Sequence, residues 1–196
     1  MTPILGILAS SISGSKAITG SYESIATVTV GSGGSSTITF TSIPATYKHL
    51  QIRAISKNNQ SATGYGNSTV TASFNSDTTY TNYYGHQLNG NGSTANGYAN
   101  QASGYYGEIG LSSWGNSGQT SMFAGFVADI LDYTNTSKYK TIRYIAGKDG
   151  NGGGDINFGS GLWMSTSAIT SITLYNYLTS LNFAQYSSFA LYGVKG

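Results

Sequence analysis

From Tyr22 onward apolar and polar residues alternate with a period of two, and glycine-rich or polar clusters interrupt the alternation, as half-buried strands joined by turns require. Ala26, Val28 and Val30 share one face of a first strand. The run Gly31-Ser32-Gly33-Gly34-Ser35 offers the positive-φ positions of a tight connection, and Ile38 and Phe40 face together beyond it, so residues 22–43 read as a hairpin. Pro44 closes this unit, since proline lacks an amide donor and fixes φ. Leu50, Ile52 and Ala54 then alternate with His49, Gln51 and Arg53, and Val70, Ala72 and Phe74 alternate with Thr69, Thr71 and Ser73.

Residues 75–119 are rich in Gly, Asn and Tyr and weakly periodic, which predicts long surface loops with short strands. Met122 to Tyr133 is apolar on both faces, with Phe123, Phe126, Val127, Ile130 and Leu131, and reads as a central strand covered on both sides. Tyr139 to Gly147 returns after a short polar turn; further strands fall near Ile156–Met164, Ile169–Tyr177 and Phe189–Val194, with a glycine loop at Asp149–Asp155. No helical periodicity exceeds about two turns. Roughly nine or ten short strands of this kind predict an all-β chain, an antiparallel β-sandwich of jelly-roll type.

The first residues differ from the rest. Ile4, Leu5, Ile7 and Leu8 form a small apolar segment, and a Ser/Gly-rich spacer follows to Gly20. That segment is too short to span a bilayer and lacks the basic leader of a secretory signal, so it reads as an anchoring arm, or alternatively as an edge strand on its own domain. The expected organisation is an N-terminal arm over residues 1–20 and a single β-sandwich domain over residues 21–196, a usual size for one all-β core.

Composition narrows the class of function. Only 8% of the 196 residues are charged, and there is no cysteine, whereas Gly (27) and Tyr (16) abound. Ordinary soluble domains carry about 25% charged residues, so hydroxyls and amides must wet this surface, as in rigid extracellular β-proteins. A net charge of +2 supplies no field for a polyphosphate, which argues against nucleic acid as a partner. Without cysteine there are no disulfides, thiolate metal sites or cysteine nucleophiles, and durability must come from packing or oligomerisation.

Four stretches carry a family resemblance. They are Ser24 to Val30 (SIATVTV), Ser42 to Arg53 (SIPATYKHLQIR), Trp163 to Ile172 (WMSTSAITSI) and the ending Ser187 to Gly196 (SSFALYGVKG). The chain resembles virion structural proteins of tailed bacteriophages, especially phages of cyanobacteria and other aquatic bacteria. The resemblance covers both ends of the β-domain and leaves about residues 57–120 uncovered. It implies a place on the particle exterior, with other virion proteins, major capsid protein or tail components, as partners. A homo-oligomer fits such a role, and a trimer would fit capsid threefold positions. The resemblance does not separate capsid decoration from a tail or fibre role.

The residues offer little catalytic chemistry. His49 and His86 are the only histidines, and neither sits in a cluster with metal-ligand spacing. No Gly-x-Ser-x-Gly elbow occurs, so no serine is assigned as a nucleophile. Asp149, Asn151 and Asp155 offer oxygen ligands that calcium could use, although a plain glycine turn explains them as well and the closing glutamate of an EF-hand is missing. No cofactor is expected. Tyr80, Tyr83, Tyr84, Tyr98, Tyr105, Tyr106 and Trp114 concentrate in the glycine-rich middle among Asn and Gln. Such aromatics stack on sugar rings, cover a low-charge surface or fill a subunit interface.

Three readings follow. The first is a non-enzymatic virion protein that decorates and stabilises the capsid exterior, with Ile4, Leu5, Ile7 and Leu8 burying apolar surface against a neighbour. The second is a tail-fibre or receptor-binding module that contacts host surface glycans through the tyrosine-rich middle. A secreted carbohydrate-active enzyme is the third and weakest, because no carboxylate pair stands out among seven acidic residues.

Overall fold

A computed structural model describes residues 20–60, 66–101, 107–114, 121–150, 153–177 and 180–196. They form β1 (Tyr22–Thr29), β2 (Thr37–Phe40), β3 (His49–Ser56), β4 (Gly66–Phe74), β5 (Tyr83–Gly90), β6 (Ala95–Gln101), β7 (Gly107–Trp114), β8 (Ala124–Leu131), β9 (Lys140–Asp149), β10 (Gly154–Trp163), β11 (Ile172–Asn176) and β12 (Ser188–Val194). One 3₁₀ turn, Tyr80–Asn82, leads into β5. The strands make two antiparallel sheets, an eight-stranded one in the order β1-β12-β3-β8-β9-β10-β5-β6 and a four-stranded one in the order β2-β11-β4-β7. The all-β sandwich expected from the alternation is therefore what the chain forms. The proposed arm, with Ile4, Leu5, Ile7 and Leu8, lies outside the described residues.

Alternation sets which face each strand buries. Leu50, Ile52 and Ala54 of β3, Ala124, Phe126, Ala128 and Ile130 of β8, and Phe189 and Leu191 of β12 point inward from the large sheet. Ile38 and Phe40 of β2, Val70, Ala72 and Phe74 of β4, and Ile172 and Leu174 of β11 answer them from the small one. Each Val, Leu, Ile or Phe among them contributes about 1.5–3 kcal/mol when fully buried, and together with the alanines they form one contiguous core. Aromatic rings tie its parts together. Phe183 meets Phe189 edge-on with centroids 4.8 Å apart, Phe126 lies 6.4 Å from Phe189, and Phe74 lies 5.5 Å from Trp163. The last strand, β12, runs between β1 and β3, and the pairing Tyr22↔Val194 to Thr29↔Ser188 brings both ends of the domain into one sheet.

Three local expectations change. The stretch 22–43 is not a hairpin: β1 pairs with β12 in the large sheet and β2 pairs with β11 in the small one. The turn itself is real, with Gly34 Nα–H donating to the Gly31 carbonyl at 3.2 Å and Gly34 at φ 73°. It serves as a corner between layers, because Ser35 is bridged to Phe183 and a Cβ on Gly34 would stand 2.9 Å from the Phe183 carbonyl oxygen. Secondly, β8 is central but covered on one face only: Gly125 is exposed, and Val127 and Leu131 are half-buried. Thirdly, the glycine-rich middle holds three strands, not mainly loops. Its residues have weak strand propensity, yet β5 pairs with β10 over Tyr83↔Trp163 to Gly90↔Ile156, so an already paired neighbour supplies the template.

The two layers approach closely at Gly110 of β7. A Cβ there would lie 2.3 Å from Cγ of Phe126, a ring that is itself buried in the opposite sheet. Gly110→Ala is expected to destabilise the domain by about 1–2 kcal/mol through overpacking. Thermal unfolding of the single variant and of Gly110→Ala/Phe126→Leu checks this, and failure of the smaller side chain to recover stability would show that the contact is not the cause.

Candidate functional surface

The outward residues of the large sheet form cross-strand rows, because antiparallel partners share a face. One row runs Arg53–Val127–Ile145–Phe158–Leu88–Gly97 across β3, β8, β9, β10, β5 and β6. The next runs Ile55–Gly125–Gly147–Ile156–Gly90. Their apolar members stay in water: Leu88 is 63%, Phe158 60%, Ile55 57%, Ile156 57% and Ile145 50% exposed. Isolated exposed apolar residues are ordinary, but a continuous band of them marks an interaction surface. The face also has relief. Gly125 and Gly147 leave a depression between Ile55 and Ile156, bounded by Val127 and Ile145, with a volume of about 690 Å³. A second hollow of about 520 Å³ lies where Leu88, Phe158 and His86 meet on the outer face, beside Gly97 and Ser160.

A polar row borders this band. Gln51 Nε2 donates to Asp129 Oδ1 at 2.7 Å, Arg53 Nε donates to Gln51 Oε1 at 2.7 Å, and Arg143 stands 3.6 Å from Asp129. The Arg53 guanidinium also sits over the rings of Tyr22 and Tyr192, 5.0 and 5.1 Å from their centroids. These contacts give each cation a partner on the same face, so the face carries opposite charges held against each other beside its apolar band.

The sequence-selected aromatics are not gathered into one site. Tyr83 is a core residue, 2% exposed, and is corrected from a surface contact to a structural one: its hydroxyl donates to the Asp77 carbonyl at 2.9 Å and accepts from the Phe74 amide at 3.1 Å. Tyr80 is exposed on the 3₁₀ turn. Tyr84 pairs with Leu162 on the outer face, whereas Tyr98 pairs with Gln87 on the opposite face of the hairpin. Trp114 ends β7 in the small sheet. Tyr105 and Tyr106 lie outside the described residues. What sequence reading missed is the outer band itself, because its members come from five strands and only register aligns them.

The remaining candidates have structural surroundings. Asp155 stands 3.5 Å from the buried Lys148 ammonium, and burial lowers the Lys148 pKa more than this carboxylate restores it. Asp149 pairs with Gly154, and so projects from the other face of the sheet than Asp155, whose partner is Lys148. Asn151 lies outside the described residues, and among those described no group of three His, Cys, Asp or Glu side chains could hold a metal ion. His49 Nδ1 accepts the Asp132 amide at 2.9 Å, while His86 is exposed on β5, separated from β3 by three strands. Lys138 and Lys48 beside Asp132 hold its carboxyl down to about 2. No described helix is long and apolar enough to cross a membrane. The chain matches no family model, and no curated protein or solved structure is detectably similar to it.

Proposed function

We propose that this chain is a non-enzymatic structural protein of a bacteriophage particle, decorating and stabilising the capsid exterior. The observation that carries the reading is the apolar band across the outer face of the large sheet. A rigid sheet with its register fixed by eight strands presents that band at constant geometry, which suits repeated contacts on a lattice better than it suits turnover. Weak charge and many hydroxyl and amide groups suit an outer body exposed to varying salt. The resemblance of the Ser24–Val30, Ser42–Arg53 and Ser187–Gly196 stretches to phage virion proteins supports the same role. Residues 1–20 would tether the domain to a neighbouring protein through Ile4, Leu5, Ile7 and Leu8.

Cryo-electron microscopy of intact particles tests it by counting copies. Hundreds at lattice positions are the expected result. Deleting residues 2–16 is expected to abolish incorporation while leaving the circular dichroism and melting of the β-domain unchanged; normal incorporation of the truncated chain would sink the arm's role. One observation favours a second reading, a fibre module that contacts host glycan: the hollow beside Phe158 places His86 and Ser160 next to an exposed aromatic face, a combination that sugar rings can stack on and hydrogen-bond to. A few copies at the tail, with binding of host polysaccharide, would select it.

A further inference from the structure

We infer that the outer face of the large sheet binds a second copy of this chain about a two-fold axis, each copy seating Phe158 in the depression over Gly125 and Gly147 of the other. The inference rests on the reading above only in taking this face for an assembly surface, and the pairing it describes needs no particle.

Three observations select a second copy. The first is relief: Phe158 stands proud in one row, and the depression lies in the adjacent row one to two strands away, between β8 and β9. Two complementary features on one face are exchanged by a two-fold axis that lies in the plane of the interface and bisects the line joining them, so both knobs find both hollows at once. With strands about 4.8 Å apart and about 3.4 Å per residue along them, that line runs at roughly 45° to the strands, and the two sheets then cross at roughly 90°, one of the two standard packing angles.

Area is the second. The five exposed apolar side chains present on the order of 500 Å², and with the surrounding Val127, Arg53 and Ser160 they approach the roughly 800 Å² that each partner contributes to a stable interface. Charge is the third. Arg53, Asp129 and Arg143 are held in hydrogen bonds or an ion pair at the border of the band, so two like faces meet without a block of unpaired like charge at the centre.

Sedimentation velocity and light scattering of the full chain test the pairing. The wild type is expected to dimerise, and Phe158→Ser, which alters only an exposed side chain, is expected to weaken the dimer at least about tenfold. Gly125→Leu should do the same by filling the hollow: a Cβ there meets nothing nearer than the Ala54 carbonyl oxygen at 4.0 Å, so the monomer accommodates it. Unchanged circular dichroism confirms that each variant is folded, and if Gly125→Leu misfolds the serine variant carries the test. The chain has no cysteine, so Gly125→Cys/Phe158→Cys offers a second readout. The two positions of one chain are two strands apart, beyond the roughly 7 Å that a disulfide spans, and oxidation should yield a covalent dimer. A monomeric wild type, with the face then left to residues 4–8 or to another protein, overturns the inference. So does a trimer, or any oligomer that both variants leave intact. Because pairing is read in solution and particle location on virions, either can fail without the other.

Discussion

Lys140→Met is expected to destabilise the domain by about 3 kcal/mol, read as a lower urea midpoint at neutral pH. Lys140 begins β9 and is fully buried. Its ammonium donates to the carbonyls of Asn135 at 2.7 Å, Lys138 at 3.1 Å and Thr166 at 3.1 Å, with Ser165 at 3.4 Å sharing a proton. One cation thereby closes the β8–β9 turn on itself and ties it to the segment after β10. Burial, helped by the neighbouring Lys138 charge, pushes the Lys140 pKa down, so solvation is lost here and the carbonyl dipoles replace it. Methionine keeps the length of the stem but leaves those carbonyls without their donor. A loss below about 1 kcal/mol would mean that water satisfies them equally well and that the ammonium does not organise the turn.

Asp77→Ala is the second large effect, with an expected loss of about 2–3 kcal/mol. Asp77 Oδ2 accepts from Trp163 Nε1 and from Asn82 Nδ2, both at 2.8 Å, and Oδ1 accepts from the Thr79 amide at 3.0 Å. Trp163 is 2% exposed, so alanine strands its indole N–H in the core, next to the Phe74 and Tyr83 rings that Asp77 also helps position. Burial by itself would raise the Asp77 pKa, but the hydrogen bonds from Trp163, Asn82 and Thr79 outweigh it and hold the carboxyl below its ordinary value of 3.8. A depressed folded pKa means that the unfolded chain takes up the proton first as pH falls. The contribution of Asp77 is therefore present in full above pH 3.8 and is lost as pH drops through the lower folded value. Urea curves at pH 7 and pH 3 should show wild type and Asp77→Ala converging on acidification; a constant gap would assign the loss to packing instead of the carboxylate.

The outer band matters in the same physical terms. Exposed Leu88, Ile145, Phe158, Ile156 and Ile55 are all strand residues whose sequence neighbours are buried or polar, and each taken alone reads as a harmless surface position. They become a surface with relief because the registers of β3, β8, β9, β10 and β5 set them side by side and because Gly125 and Gly147 fall together in one row.

Period-two alternation determined by itself that the chain is an all-β sandwich, since each half-buried strand reports its own inward face. It located β3, β8, β9, β10 and β12 closely. Turn chemistry was legible too: Gly34 does adopt positive φ, although the turn it makes joins two layers instead of two hairpin strands. Partner choice was not legible. A strand's own residues state which face is apolar but not which edge will meet it, and pairings such as Tyr22 with Val194 span nearly the whole chain. For the same reason only the tertiary structure revealed β5 and β6 within the glycine-rich middle, moved Tyr83 from surface to core, left one face of β8 open, and assembled from five strands the band on which the proposed assembly depends.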